Sequence, residues 1–246
     1  MAYINGKKIL LSPRIIIKGG DTNAAFEEGK LEGEKSFWNA VTNNNTRADW
    51  SYAFQYWNCE HIRPPYVIKP TKNLISTMFG FNTALKIVEK DFFDFSGYTP
   101  TQTNGTSAWY KFFDSCENLE TVEDIGMKAG GYYRTFAGCK KLETIEKLRV
   151  QAETVFNTAF AQCDNLQNIT IEGTIGQNGF NVQWSTKLTQ KSLLSILGAC
   201  DKDVIGKGIS ITLPSNTESL FSETGDADLY GAFMVARSYG YNITFA

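Results

Sequence analysis

The sequence predicts an α/β solenoid: a ladder of parallel strands, preceded by an N-terminal helical segment and closed by a C-terminal α/β cap. Two observations lead there. A pattern of Phe, Cys, Leu and Ile or Val at fixed offsets returns with a period in the twenties, and such periods belong to stacked repeats that bury a shared core. Beyond the last copy the apolar spacing changes to alternating helix and strand, as a cap over an exposed final coil requires.

The repeats read Phe113-x-x-Cys116-x-x-Leu119-x-x-Val122, Phe136-x-x-Cys139-x-x-Leu142-x-x-Ile145 and Phe160-x-x-Cys163-x-x-Leu166-x-x-Ile169, with Phe79-x-x-Asn82-x-x-Leu85-x-x-Val88 as an earlier, degenerate copy. The first gap is ten or eleven residues longer than the later two, and the Gly, Pro, Thr and Asn between Ser96 and Ser107 read as a loop inserted on one face. Each copy contributes a short parallel strand, about 4.8 Å above the last, and stacks its Phe, Leu and Ile on its neighbours. Four residues before the landmark Phe stand Ile75, Trp109, Tyr132 and Phe156, a core row. One place later stand Ser76, Tyr110, Tyr133 and Asn157, an outward row. Cys116, Cys139 and Cys163 read as small buried residues with weak S–H donors; a disulfide between stacked thiols is the alternative.

These residues carry a resemblance. Phe136-Ala137-Gly138-Cys139-Lys140-Lys141-Leu142-Glu143-Thr144-Ile145 resembles the BspA-like leucine-rich repeat family, and Cys116-Glu117-Asn118-Leu119 and Cys163-Asp164-Asn165-Leu166 match its Cys-x-Asn-Leu signature. The resemblance covers about residues 73–173. It implies a leucine-rich repeat solenoid in which the Cys or Asn position hydrogen-bonds the turning backbone. Family members are mostly bacterial surface or adhesion proteins, with a subset in phages and prophages of low-GC Gram-positive bacteria. The flanks are similar to that subset: Met1-Ala2-Tyr3-Ile4-Asn5-Gly6-Lys7-Lys8-Ile9-Leu10 to the opening of short tail-region proteins, and Phe37-Trp38-Asn39-Ala40 through Ile68-Lys69-Pro70-Thr71 to the segment before the repeats.

Three regions are expected: 1–45, N-terminal strands and a helix for attachment or oligomerisation; 46–173, the repeat solenoid; and 174–246, a C-terminal α/β cap continuing the sheet. Residues 3–17 suggest two short strands broken at Ser12-Pro13. A helix is expected from Asp21-Thr22-Asn23 to about Val41. Gly29 and Gly33 within it cost about 1 kcal/mol each relative to Ala, which close packing against a partner helix or against its own domain would offset. In the cap, Thr189–Ala199 reads as a helix, Ile209–Leu213 as a strand, Asp226–Ser238 as a helix and Tyr241–Phe245 as a strand joining the same sheet.

Composition narrows the function. With 24 Lys plus Arg against 26 Asp plus Glu among 246 residues, the charge is nearly balanced, so nucleic acid is not an expected partner. No apolar run approaches the ~18 residues of a membrane helix, and the N-terminus lacks the apolar core of a signal peptide. Folding in a reducing bacterial cytoplasm is expected, and the five Cys, without a Cys-x-x-Cys pair, give neither a zinc site nor a disulfide framework. The single His, His61 in Cys59-Glu60-His61-Ile62-Arg63, is not placed for proton transfer with Cys59. No phosphate loop, metalloprotease or nucleophile-elbow motif occurs.

The expectation is therefore a non-enzymatic protein without cofactor or metal: a virion component of the tail tip, baseplate or fibre, assembled in the cytoplasm, contacting other tail proteins and a host-surface protein or glycan. The alternative is a bacterial adhesion or interaction module outside any virion. Tyr110 and Tyr133 are the candidate ligand-binding residues, forming an aromatic platform; the competing reading packs both under the Ser96 to Ser107 loop. A homo-oligomer, preferably a trimer, is expected through residues 1–45. Deleting those residues should convert it to a folded monomer by light scattering, and a full-length chain that is already monomeric and docks on no virion protein would overturn this assignment.

Overall fold

The computed structural model describes residues 2–4, 7–9, 55–56, 60–62, 76–91, 109–125, 129–205 and 207–246. The expected helix of 21–41, with Gly29 and Gly33, and the loop between Ser96 and Ser107 lie outside them, as do Cys59 and Ile75. Near the N-terminus β1 (Ala2–Ile4) pairs antiparallel with β2 (Lys7–Ile9), Ala2 opposite Ile9. Both strands precede Ser12-Pro13, where the break was expected. In the sequence, Asn5-Gly6 lies between them.

The rest is a mixed α/β structure dominated by a curled parallel sheet, with few helices. Its strands are β3 (His61–Ile62), β4 (Ile87–Val88), β5 (Thr121–Asp124), β6 (Ala129–Tyr133), β7 (Thr144–Asn157) and β8 (Asn168–Gly173). Each copy of the sequence pattern supplies one rung. Ile62, Val88, Val122, Ile145 and Ile169 pair in succession, and all are buried. The neighbouring row, Ile87, Thr121, Thr144 and Asn168, faces outward because successive strand residues alternate sides. The 14-residue β7 is exceptional: its first half pairs with β5 and β8 and its second half with β6. The preceding coil is divided at the same level into β5 and β6.

Side-chain columns follow from this register. Phe79, Phe113, Phe136 and Phe160 are fully buried and stack with centroids 6.0, 5.8 and 5.7 Å apart. Leu85, Leu119, Leu142 and Leu166 form a second fully buried column. Trp109, Tyr132 and Phe156 form the third, and Phe180, which the repeat alignment did not reach, extends it at 5.0 Å from Phe156. Offset aromatic pairs of this kind add about 0.5–1.5 kcal/mol each beyond the area they bury.

The turn preceding each strand is built unlike ordinary loop. Residues two before and two after each landmark Phe have positive φ: Thr77 and Phe81, Lys111 and Ser115, Arg134 and Gly138, Thr158 and Gln162. Only one of the eight is Gly. The left-handed region costs non-glycine residues of order 1 kcal/mol or more, and the alternation is held by hydrogen bonds between coils. The N–H groups of Thr77, Phe79 and Phe81 donate to the carbonyls of Tyr110, Phe112 and Asp114. Lys111, Phe113 and Ser115 repeat this onto Tyr133, Thr135 and Ala137, and Arg134, Phe136 and Gly138 onto Asn157, Ala159 and Ala161.

The cap's elements fall where the sequence placed them: α1 (Gln190–Gly198), β10 (Ser210–Leu213), α2 (Ala227–Ser238) and β11 (Asn242–Phe245), with β9 (Phe180–Asn181) before them. Thr189 and Asp226 cap the helices through their side chains, as their residue types favour. The cap does not continue the first sheet with another strand. There the Ile169 and Ile171 N–H groups of β8 donate to the hydroxyls of Ser192 and Ser195, so α1 closes the edge. The final strand joins a separate parallel sheet of order β11-β10-β9. β9 lies so close to β7 that a Cβ on Gly179 would sit 2.1 Å from the Phe156 carbonyl oxygen.

Leu142→Ala is expected to cost about 2–5 kcal/mol in urea unfolding through lost burial and the cavity left in a continuous column; a loss below about 0.5 kcal/mol would refute the column.

Candidate functional site

Tyr110 and Tyr133 follow the buried Trp109 and Tyr132, so the backbone that sinks one aromatic of each pair points the next outward. Their rings are 4.8 Å apart with 12° between planes, one coil spacing, and both are half-buried. The platform differs from the expected one in one respect. The rings stack on each other, so each hides one face, and what the pair offers is its edges and two outer faces. Ser76 and Asn157 occupy the same row in the flanking coils, so short polar side chains bound the pair at both ends. The Ser96 to Ser107 loop, its alternative cover, lies outside the described residues.

The next row supplies charge. Lys111, turned by its positive φ, holds its ammonium 5.4 Å from the Tyr110 ring centroid, within cation–π range. One coil on, Arg134 donates from Nε and Nη2 to the two carboxylate oxygens of Asp114, at 3.2 and 3.1 Å. The Asp114 side chain is only 2% exposed, so this bidentate pair is what makes its burial tolerable. The same hydrogen bond, ahead of burial that opposes it, holds the Arg134 guanidinium above its ordinary pKa. A second stack lies on the turn of the earlier coils: Tyr56 and Phe81, 5.1 Å apart at 23°, with Tyr56 61% exposed. Sequence reasoning missed Lys111, Asp114, Arg134, Tyr56 and Phe81. For Lys111, Asp114, Arg134 and Phe81 the available signal was position: they fall two before, one after or two after the landmark, in rows without constant residue type.

Other charged groups form structural ladders. Asp124 of β5, Lys147 and Arg149 of β7 and Glu172 of β8 alternate in sign across three strands, with Arg149 bonded to Asp124 at 2.8 Å and Glu172 at 3.0 Å. Glu60 pairs with Lys86, and Glu117 with Lys140. His61 Nε2 lies 2.6 Å from Oε1 of Glu89, the residue just after β4. Among the described residues no group of three His, Cys, Asp or Glu is arranged to hold a metal ion, and no helix is long and apolar enough to cross a membrane.

The cysteine row is structural in geometry. Each thiol donates to the carbonyl of the landmark Phe one coil earlier: Cys116 to Phe79, Cys139 to Phe113 and Cys163 to Phe136, each at 3.1 Å. These three and Cys200 are free thiols. In the following coil Ser185 takes the position, its hydroxyl donating to the Cys163 carbonyl at 3.2 Å. Burial dominates their acidity, pushing Cys116 up to about 12 and Cys139 and Cys163 well above the ordinary thiol range.

Comparison with family models, with curated proteins and with solved structures finds no match for this chain.

Above the ordinary thiol pKa of 9.0 the unfolded chain releases these protons while the folded one retains them up to about 12 at Cys116. The unfolded state then binds fewer protons, so stability falls as pH rises through that window and is intact below it. Urea midpoints measured from about pH 8 to about pH 11 should therefore fall less steeply for Cys139→Ala than for the wild type. Equal slopes would mean that the thiols ionise freely in the fold.

Proposed function

We propose that the chain is a BspA-like leucine-rich repeat solenoid that serves as a non-enzymatic structural and binding protein of a phage or prophage virion. Its place is the tail-tip, baseplate or fibre apparatus, and its repeats present a surface to the host cell. The observation that carries this reading is the coil-to-coil register of the Phe-x-x-Cys-x-x-Leu pattern, with every described thiol of the row bonded to the preceding coil's backbone. That is the role which the resemblance assigns to the Cys or Asn position.

A rigid stack of this kind supports recognition because its outward rows are fixed by the core rows beside them. Tyr110 and Tyr133 are held by Trp109 and Tyr132, and Lys111 and Arg134 by the left-handed positions of the turn. A ligand meeting such residues loses little of its binding energy to ordering them. Tyrosine, with an apolar ring and a polar tip, is among the residue types enriched at such contacts.

The test is mass spectrometry of purified particles together with adsorption in the presence of excess purified chain. The chain should be found in washed particles and should compete with them for the host surface. Absence from particles, with binding to bacterial cells retained, would favour the adhesion module outside a virion. Absence from particles with no cell binding would overturn both.

A further inference from the structure

We propose that β11 is a docking edge for a second copy of this chain. Two β11 strands pair antiparallel about a two-fold axis through Thr244 and join the two three-stranded sheets into one. The inference is independent of the host-surface reading and names a contact other than residues 1–45.

The main chain supplies the first observation. β11 is the outer strand of the order β11-β10-β9, and among the described residues it pairs with β10 alone. The N–H groups of Asn242 and Ala246 donate to the carbonyls of Ile209 and Leu213, and the Ser215 N–H donates to the Ala246 carbonyl. Main-chain groups alternate direction along a strand, so Asn242, Thr244 and Ala246 face β10 while Ile243 and Phe245 turn N–H and C=O to the open side. Two such residues with one between them are their own complement. With Ile243 opposite Phe245 of the second copy, each of the two symmetric pairs exchanges both its hydrogen bonds, and the axis passes through Thr244.

The side chains agree with that register. Ile243 and Phe245 share a face, where Phe245 packs 5.3 Å from Phe221 and 6.3 Å from Phe233. Opposed across the axis they form aromatic–β-branched pairs, and the exposed Thr244 meets its own copy as a Thr–Thr pair. Because a residue on a two-fold axis meets itself, a charge there would repel its copy. Asn242–Phe245 carries no charge, no Pro and no break in register, the devices that guard a free edge. The edge of β8, by contrast, is closed by Ser192 and Ser195 of α1.

The chain between β10 and β11 supplies the second observation. Of the six large apolar side chains exposed among the described residues, Leu220, Met234 and Val235 lie in this crossover. Phe245 faces it, and residues opposed in an antiparallel ladder share a face, so pairing brings the two crossovers side by side on one face of the joined sheet. The two-fold also sets α2 antiparallel to its copy. Asp226 and Asp228 at the start of one helix then lie toward the end of the other, where Arg237 is the last-turn cation, so charges and helix dipoles are complementary. An unrelated strand would need none of this self-matching, which is what singles out a second copy as the occupant.

The experiment measures the mass of the full chain in solution by light scattering from about 1 to about 500 μM, since one short strand and one helix flank make a contact at the weak end of interface sizes. The wild type should reach about twice the mass of Thr244→Lys or more at the upper concentrations, because that variant sets like charges opposite each other on the axis. Thr244 is exposed, so the variant should melt as the wild type. An equimolar mixture of Thr244→Lys and Thr244→Glu should regain the wild-type mass, which two misfolded variants could not do. Hydrogen exchange at the Ile243 and Phe245 amides should slow about tenfold once the free chain is about ten times the dissociation constant. A wild-type chain with the mass of Thr244→Lys throughout would overturn the contact, as would a mixture that regains no mass. Mass that climbs without limit, as head-to-tail strand addition gives, would overturn the two-fold.

Discussion

Everything in this structure depends on parallel register from coil to coil. A parallel ladder places identical offsets of successive copies over one another, so one correct pairing fixes every column at once. Val122 opposite Ile145 entails Phe113 over Phe136, Leu119 over Leu142 and Cys116 over Cys139. A slip of one residue would turn every buried side chain of a strand to the outside. The turn enforces the same register independently, because its N–H groups at alternate positions reach carbonyls at alternate positions of the next coil.

That second ladder explains an otherwise unfavourable backbone. Thr77, Lys111, Arg134 and Thr158 all occupy the left-handed region, two of them β-branched. An isolated turn would avoid it. Within the stack, the alternation aims three N–H groups per coil at the neighbour, and losing it would leave those donors buried without partners, at a cost of about 1–3 kcal/mol each. The thiol row works in the same direction. Each S–H reaches the landmark carbonyl of the coil before, so the cysteines link coils through the backbone while burial keeps them protonated.

Ending such a stack presents the problem of an open edge, and the two sides are closed differently. On the side of the Leu and Ile columns, Ser192 and Ser195 of α1 accept the free N–H groups of β8. On the side of the Trp109–Tyr132–Phe156 column, stacking passes to Phe180 and then to the separate sheet of β9, β10 and β11, which Tyr241 ties back through its hydroxyl to the Ile175 carbonyl. Neither set of closing contacts involves the outward pair Tyr110 and Tyr133.

What the sequence determined by itself was the periodic part. Buried columns must be occupied by apolar residues of similar size in every copy, so Phe113, Phe136 and Phe160 or Leu119, Leu142 and Leu166 announce themselves, as do cap helices that begin at Thr189 and Asp226. Tyr110 and Tyr133 were legible as an outward row because they follow the aromatic core row. Their mutual stacking, which changes a platform into a pair of edges and outer faces, was decided by the coil spacing. The Arg134–Asp114 pair, the place of Lys111 over a ring and the left-handed turn residues were decided only in the tertiary structure. Outward rows and backbone-bonded turns tolerate any residue whose main chain can donate, so Thr, Lys, Arg and Phe stand at equivalent positions and no pattern marks them. The end of the sheet was equally hidden, since a serine that accepts a backbone N–H from the neighbouring strand looks, in one dimension, like any other polar residue on a helix.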